Sequence, residues 1–177
     1  MTEDARNLPG EQLRLAMRNW VTGVSIVSSQ IREEGQSSDA QEHVIRHGMT
    51  VNSFVSVSID PPLVTVTLAN ATRTLGLVKT SGWFGVTILD QEQAYLADIF
   101  AGRVPDGGDR FVGVETFALT GNVPLIKGGL ASLECKVIHE YPMVNSTLLV
   151  GEVQAVWLGE GGDPLLYYNR TYHRLGA

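Results

Sequence analysis

The segment from Gly48 to Pro62 constrains the fold more than any other part of the chain. Its sequence, GMTVNSFVSVSIDPP, has the period-two apolar pattern of one half-buried β-strand, with apolar residues at Val51, Val55, Val57 and Ile59. The alternate positions carry uncharged polar groups and one ring, at Thr50, Asn52, Phe54, Ser56 and Ser58. This polar face fits two structures: the binding face for a planar ligand with heteroatoms along its edge, or the solvated face of an antiparallel strand.

Composition and charge narrow the function classes. At 177 residues, the chain has the length of one domain spanning residues 1–177. The net charge of −6 and the scattered Lys and Arg residues argue against nucleic acid and anionic membrane partners. The acidic first residues do not resemble a signal peptide, and no apolar run approaches membrane-span length. The single cysteine, Cys135, indicates a buried structural thiol and a cytoplasmic location.

The remaining elements are predicted from hydrophobic periodicity and from turn and helix-capping residues. A helix is expected over residues 10–20, and strands over 22–29, 44–50, 63–68 and 83–89, with a loop over 31–43. Thr72 or Thr74 can cap a short helix running to Thr80, and Asp90 with Gln93 forms a capping box for a helix ending at Phe100. Residues 102–108 are expected to form a loop, and residues 116–174 a run of strands. This mainly β pattern with inserted helices predicts a barrel with Greek-key connections.

Motifs for several common chemistries are missing from the sequence. It contains no GxGxxG after a strand, no HExxH, no CxxC and no GxSxG, and its four histidines share no metal-ligand spacing. We therefore expect no metal site and no hydrolytic site. An enzyme without a reactive side-chain constellation takes its chemistry from a cofactor.

The sequence GMTVNSFVSVSIDPPLVTVTL resembles the signature of the flavin reductase family with the FMN-binding split barrel. Members are the reductase components of two-component flavin-dependent monooxygenases. The resemblance continues upstream in LRLAMRNWVTGVSIVSS and downstream in WFGVTILDQEQAYLADIFAG, DRF, LASLECKV, LLVGEVQAVW and PLLYYNRTYHRL. It therefore covers most of the chain, and it implies a split β-barrel that binds FMN.

The resemblance also implies flavin-contact positions. The first group is the strand segment Thr50, Val51, Asn52, Ser53 and Phe54. A second group surrounds the expected helix start, at Asn70, Thr72, Arg73 and Thr74, where free N–H groups and a guanidinium suit a phosphate. Without the family, a plain helix cap with a solvated arginine is the favoured interpretation of that second segment. The DRF segment adds Arg110 and Phe111, although Asp109 and Arg110 could instead form a surface pair.

Nicotinamide-side candidates are Ser146, Tyr172 and His173. Ser146 stands where the family often has a histidine, in a GDH-like triplet that here is Val144-Asn145-Ser146. Loss of that imidazole is expected to raise the Michaelis constant for the nucleotide. Tyrosines on closing strands are, in most proteins, packing residues.

The resemblance implies an NAD(P)H:flavin oxidoreductase that reduces FMN, or FAD, with NADH or NADPH. It further implies a cytoplasmic homodimer that supplies reduced flavin to a separate monooxygenase. Two alternatives remain at this stage. One is a flavin-binding electron carrier without nicotinamide turnover, and the other is a barrel that binds no cofactor and only mediates association.

Overall fold

The computed structural model describes residues 9–33, 43–105 and 108–176. The elements in chain order are helix α1 (Pro9–Ala16), a 3₁₀ turn (Met17–Asn19), β1 (Thr22–Gly23), β2 (Ser25–Glu33), β3 (His43–Val51), β4 (Val55–Ile59), β5 (Pro62–Ala69), α2 (Arg73–Ser81), β6 (Trp83–Ile88), a 3₁₀ turn (Gln91–Gln93), α3 (Ala94–Phe100), β7 (Thr116–Phe117), β8 (Leu125–Ile126), β9 (Ala131–Pro142), β10 (Ser146–Leu158), β11 (Leu166–Tyr168) and β12 (Thr171–His173). The mainly β class with inserted helices is confirmed.

One antiparallel sheet of seven strands organises the molecule, in the order β3-β2-β6-β9-β10-β5-β4. Its two edge strands, β3 and β4, follow each other in the chain with only residues 52–54 between them. A flat sheet of this size would hold its edges about 29 Å apart, at about 4.8 Å per strand. The four Cα steps from Val51 to Val55 span at most about 14 Å. The sheet must therefore curl until its edges approach, as in a barrel that is open along one seam.

Two features let the sheet curl. The β9–β10 ladder contains register shifts between Val150 and Gly151 and between Val153 and Ala155, and such bulges bend a strand and increase its twist. Gly151 also sits over the ring of Phe84, where any Cβ would clash. The inside of the curl is filled by a first apolar cluster built on β2, β3, β5, β6, β9, β10 and α2: Val27, Val51, Val64, Val66, Leu68, Leu75, Val78, Phe84, Val86, Cys135 and Leu149.

A second apolar cluster seals the end of the curl where α3 lies: Val24, Ile26, Leu89, Leu96, Ala97, Phe100, Phe111, Ile126 and Leu165. The small sheet β1-β11-β12 is joined to the large one at this end. The N–H of Val24 donates to the carbonyl of Leu165 at 3.0 Å, and the N–H of Leu89 donates to the carbonyl of Val24 at 3.0 Å. The C-terminal hairpin is thereby fixed beside the end of β3.

Most predicted elements are confirmed. Thr72 caps α2, with its side chain accepting a hydrogen bond from the N–H of Leu75, and the capping box of Asp90 and Gln93 is present. Cys135 is fully buried, and burial raises the pKa of its thiol to about 12. The expected loop over 31–43 is wrong at its first three residues and its last one, since β2 runs to Glu33 and β3 begins at His43. Residues 34–42 of that prediction lie outside the described residues.

The Gly48–Pro62 segment differs most from expectation. It is not one strand, because the chain leaves the sheet at residues 52–54 and begins β4 on the opposite edge. Val51 is buried as predicted, but Val55 and Val57 are each 57% exposed and Ile59 is 87% exposed. The half-buried apolar face predicted for these three residues is therefore wrong for the single chain. Periodicity reports which residues alternate, and it cannot report a crossing from one edge of a sheet to the other.

No helix among the described residues is long and apolar enough to cross a membrane.

Candidate flavin site

A cavity of about 180 Å³ lies where β3 ends, between the end of α3 and the β11–β12 hairpin. We call it the strand-end cavity. Three of the residues that line it come from the predicted flavin-contact strand: Thr50, Val51 and Asn52. The other lining residues are Val24, Ala101, Arg103, Tyr167 and Tyr172. The structure therefore brings the strand signature and the C-terminal tyrosines together, although about 120 residues separate them in sequence.

Some polar side chains of the strand segment already form hydrogen bonds within the protein, and others remain available to a ligand. The hydroxyl of Thr50 donates to the carbonyl of Ala97 at 2.7 Å, which fastens β3 to α3. The hydroxyl of Ser53 donates to the carbonyl of Thr67 at 2.9 Å and accepts from its N–H at 3.3 Å. Asn52 is exposed, and its side chain has no hydrogen-bond partner among the described residues. Of these three side chains, the Asn52 amide is the one available to a ligand.

Ser53 also brings the second predicted segment close to the first. Thr67 lies on β5 beside Ser53, and Asn70 follows Thr67 by three residues, a reach of at most about 11 Å. A groove of about 340 Å³ runs along the start of α2 and is lined by Asn70, Ala71, Thr72, Arg73, Leu75, Gly76, Lys79, Pro142 and Thr147. We call it the α2 groove. Both predicted contact regions are therefore attached to β5, one through Ser53 and the other directly after the end of the strand.

Within the α2 groove, most side chains already have partners. Asn70 accepts from the hydroxyl of Thr147 at 2.8 Å and donates to the carbonyl of Met143 at 3.1 Å, which ties α2 to the β9–β10 turn. The Thr72 hydroxyl donates to the carbonyl of Ala69 at 2.7 Å while it caps the helix. Arg73 is exposed and pairs with no described residue. Arg73 is thus the cation of this groove that is available to an anion.

Five predicted contact residues do not line either space. Ser53 is bonded to Thr67 as described above, and Phe54 packs against the first apolar cluster. Thr74 is buried, and its hydroxyl lies 2.8 Å from Nδ1 of His47. Arg110 donates to the carbonyls of Phe100, at 2.7 Å, and Gly48, at 3.2 Å, so it braces the floor beneath the strand-end cavity. Phe111 is buried edge-on against Phe100, with ring centroids 4.9 Å apart.

Gly48 explains why this floor fits together. An added Cβ at Gly48 would lie 2.8 Å from the Phe100 ring and 3.2 Å from the Phe111 ring. Only glycine lets β3 pass so close to the two aromatic rings, and Arg110 bonds to the carbonyl of the same residue.

The nicotinamide-side candidates lie in two places. Tyr172 forms a wall of the strand-end cavity, with its ring 5.6 Å from that of Tyr167. His173 is exposed beside it, with Nε2 3.0 Å from the Thr171 hydroxyl. Ser146 begins β10 and pairs with Ala69, next to the α2 groove. The sequence grouped these three residues, and the structure separates Ser146 from the two others.

Electrostatics favour a neutral phenol in the cavity wall. Burial raises the pKa of Tyr172, and the nearby guanidinium of Arg103 opposes that rise. Arg103 lies 5.4 Å from the Tyr172 ring centroid and donates to Asp98 at 2.8 Å, a hydrogen bond that raises the pKa of Arg103. The cavity therefore combines a protonated phenol, a paired cation and an aromatic surface.

Sequence reasoning missed part of this lining. Tyr167 was not among the predicted site residues, and Val24 and Ala101 carry no signal in the sequence because they enter the cavity through packing alone. Within the described residues, no group of three or more His, Cys, Asp and Glu side chains is placed to hold a metal ion.

The donor set fits a flavin mononucleotide. Main-chain groups of residues 52–54 lie outside the strand ladders, and the Asn52 amide is unpartnered, so both can meet the polar edge of a flavin ring. Tyr167 and Tyr172 offer an aromatic wall, and Arg73 at the start of α2 offers a phosphate site. At about 180 Å³ the strand-end cavity is smaller than usual ligand sites of about 300–1,000 Å³. One chain therefore encloses only part of such a ligand.

Comparison with known proteins agrees with this fit. Residues 17–176 match the family described as flavin reductase like domain. The chain is 34% identical over 179 residues to an NADH-dependent flavin reductase from Rhodococcus sp., covering 99% of this chain and 94% of that protein. It is 33% identical over 165 residues to the reductase component of 4-hydroxyphenylacetate 3-monooxygenase from Thermus thermophilus, covering 93% of this chain and 96% of that protein.

A solved structure shows the same architecture. The flavin reductase PheA2 in its native state superimposes with a TM-score of 0.79 at 33% sequence identity, covering 96% of this chain and 100% of that one.

Proposed function

The chain belongs to the flavin reductase-like family, and on that premise we propose that it is an NADH-dependent flavin reductase which supplies reduced flavin to a separate monooxygenase. The observation that carries this proposal is the strand-end cavity, whose lining offers a flavin-edge partner and an aromatic wall but no nucleophile or metal ligand set. When bound, the flavin accepts a hydride from the nicotinamide. The protein needs only to hold the two rings together and exclude water.

Each residue of the site has a positioning task. Asn52 and the main chain of residues 52–54 would hold the polar edge of FMN, while Ser53 keeps that segment fixed to β5. Arg73 and the start of α2 would hold the phosphate. Tyr172, a neutral phenol whose pKa is raised further by burial, would present its ring to the nicotinamide without placing a negative charge beside it.

The FMN assignment follows from the α2 groove. A single exposed cation at a helix start suits a terminal monophosphate. FAD remains an alternative acceptor, since its own phosphate could use the same groove.

A homodimer would complete the site. Edge strand β4 exposes Val55, Val57 and Ile59, and its outer main-chain groups have no strand partner among the described residues. Exposed apolar edges of this kind are characteristic of interfaces. Because β4 begins directly after residues 52–54, a second chain seated there would also cover the open side of the strand-end cavity. We further propose a cytoplasmic location, which suits the free buried thiol of Cys135.

Anaerobic spectroscopy tests the function directly. The purified protein is mixed with FMN and NADH under argon, and the flavin absorbance is followed against the same mixture without protein. The proposal expects rapid bleaching that depends on protein concentration, with NADPH slower than NADH. Flavin binding without bleaching by either nucleotide would instead identify an electron carrier, and a protein that binds no flavin would identify an association domain.

A further inference from the structure

A second pocket, of about 220 Å³, adjoins the strand-end cavity and shares Asn52 and Tyr167 with it. It lies between the end of α1 and the β11–β12 hairpin. Three arginines line it: Arg14, Arg18 and Arg170. We call it the arginine pocket. The chain has a net charge of −6, and none of the residues that line this pocket is acidic. A concentration of positive charge at one place in an acidic protein requires an explanation.

Arg18 provides the first sign that something is missing. Its Nε atom is buried and has no hydrogen-bond partner among the described residues. A buried donor on a charged group without an acceptor is costly. The carbonyl of Arg18 accepts the N–H of Asn169 at 3.1 Å, so the hairpin is anchored to the same residue. The main chain of Arg18 is thus fixed to the hairpin, while its buried Nε has no acceptor among the described residues.

Arg170 provides a second sign. The hairpin from Tyr168 to Thr171 turns through Asn169 and Arg170, whose φ angles are 46° and 68°. A two-residue turn with both φ angles positive favours glycine at its second position, because an L side chain is strained there. Arginine occupies that position here, and it is one of the residues that line the pocket. An arginine at a turn position that favours glycine is consistent with a binding role.

Arg14 adds a third. Arg14 and Arg18 are four residues apart, a spacing that puts like charges on one face of a helical segment and destabilises it. Arg14 pairs with Glu11 at 3.3 Å, but both side chains are about half exposed or more, and such surface pairs contribute little. All three arginines therefore line one pocket, and no acidic residue lines it with them.

The position of the pocket indicates which anion fits. Arginine forks match phosphate oxygens in a bidentate way, and three of them suit more than one phosphate group. Trp20 also lines the pocket and is 65% exposed, so its indole offers a flat surface for a nucleobase. The neighbouring strand-end cavity is the place where, under the proposed function, flavin and nicotinamide meet.

We propose that the arginine pocket binds the ADP half of a dinucleotide, with the diphosphate on Arg14, Arg18 and Arg170 and the adenine against Trp20. The identity of the whole ligand, NADH or FAD, rests on the proposed function. The expected binding of ADP to the arginine pocket rests only on the residues that line it. NADH and FAD both carry an ADP group, and the shared residues Asn52 and Tyr167 connect the pocket to the place where either would react.

Calorimetric titration of the full chain with ADP tests the pocket by itself. Wild-type protein should bind ADP saturably, and Arg18→Gln and Arg170→Gly should each weaken binding about tenfold or more. Arg170→Gly should also raise the melting temperature, since glycine suits the turn, so lost binding in this variant cannot be ascribed to lost folding. Arg174→Gln removes the same charge from an exposed pair with Glu92 and should leave ADP binding unchanged.

Absence of saturable ADP binding to the wild type, or equal affinities in all four proteins, would overturn the assignment. This result is independent of turnover. A protein that reduces no flavin would therefore fail the proposed function while the arginine pocket could still pass its own test.

Steady-state kinetics then distinguish the two sources of ADP. One arm uses NADH and reduced nicotinamide mononucleotide, which lacks the adenosine phosphate half, with FMN as acceptor. If the donor occupies the pocket, Arg170→Gly raises the Michaelis constant for NADH about tenfold and leaves that for the mononucleotide unchanged. The other arm compares FAD with FMN. If FAD occupies the pocket, the Michaelis constant for FAD rises instead, while that for FMN and that for NADH remain unchanged. If neither constant changes, the pocket has no part in dinucleotide binding and the proposal fails.

Discussion

At the scale of single residues, availability separates ligand contacts from structural contacts. Thr50, Asn52 and Ser53 are adjacent polar residues, yet Thr50 and Ser53 bond to the carbonyls of Ala97 and Thr67. Asn52 alone has a side chain without a partner among the described residues, and it lines both the strand-end cavity and the arginine pocket. Loss of its amide should therefore affect ligands and leave folding almost unchanged.

We expect Asn52→Ala to weaken flavin affinity by about 1–3 kcal/mol, the cost of leaving polar ligand atoms unpaired in a closed site. Fluorescence titration with FMN measures it. Gln154→Ala, an amide deletion on an exposed face of β10, is the matched control and should bind FMN as the wild type does. Unchanged affinity in a folded Asn52→Ala protein would remove Asn52 from the site.

Arg73 allows a test that separates the phosphate from the ring. Arg73→Ala should weaken FMN by about 1.5–3 kcal/mol, the range of hydrogen bonds to charged groups, because the arginine is the exposed cation at the start of α2. Riboflavin, which has no phosphate, should bind the variant as well as it binds the wild type. Lys136→Ala removes an exposed charge elsewhere and serves as control. Equal losses for both flavins would assign Arg73 to the ring or to general structure.

At the scale of elements, a buried carboxylate fixes a long loop to the sheet. Glu134 on β9 is fully buried, and it accepts hydrogen bonds from the N–H of Leu119, at 2.6 Å, and from the N–H of Gly121. The hydroxyl of Thr120 lies 3.5 Å from the same carboxylate. This one side chain replaces the strand partner that residues 119–121 lack.

We expect Glu134→Ala to lower the free energy of unfolding by about 2–4 kcal/mol, because two partly buried N–H donors lose their carboxylate acceptor. Urea denaturation measures the loss. Glu152→Ala, which removes a less buried carboxylate from the neighbouring strand β10, should cost under about 1 kcal/mol. A loss in Glu134→Ala no larger than in this control would show that the loop is held by other contacts.

Elements with a local signal could be predicted from the sequence, and those without one could not. Helix α2 and the 3₁₀ turn before α3 were predicted because Thr72, Asp90 and Gln93 are capping residues that act within four positions. The crossing at residues 52–54 was missed because alternation continues through it. The inward bonds of Arg110 were also missed, since they depend on Gly48 and Phe100, which only the fold brings together.

The candidate site divides in the same way. The sequence and its family resemblance predicted the strand Thr50–Phe54, the start of α2 and Tyr172. The first three residues of that strand and Tyr172 line the strand-end cavity, and Asn70, Thr72 and Arg73 line the α2 groove. The arginine pocket carried no signal, because Arg14 and Arg170 are far apart in the chain and neither belongs to a motif. A tertiary contact brings their two segments together: the N–H of Asn169 donates a hydrogen bond to the carbonyl of Arg18.

At the scale of the whole molecule, the exposed edge β4 predicts assembly. Ile59→Lys places a charge at the most exposed apolar position of that edge, and we expect it to convert the proposed homodimer to a monomer in light scattering after gel filtration. Flavin affinity should fall with it, because the open side of the cavity loses its cover. Leu158→Lys, at an apolar residue with 75% exposure near the end of β10, tests whether any apolar-to-charged change has this effect. A dimeric Ile59→Lys protein would exclude β4 as the interface.

The open seam of the curled sheet has a consequence for local opening of the edge strands. The two edge strands, β3 and β4, are connected through residues 52–54 but are not paired with each other in the sheet. A ligand bound to residues 52–54 would therefore restrain both strands at once, and we call this restraint the clasp. Native-state hydrogen exchange should then slow together on β3 and β4 when FMN is added, as one cooperative opening unit. Amides of β9, in the middle of the sheet, should exchange by global unfolding and slow only by the overall gain in stability from ligand binding. Protection confined to β3 would mean that the two edges open independently and that the clasp does not exist.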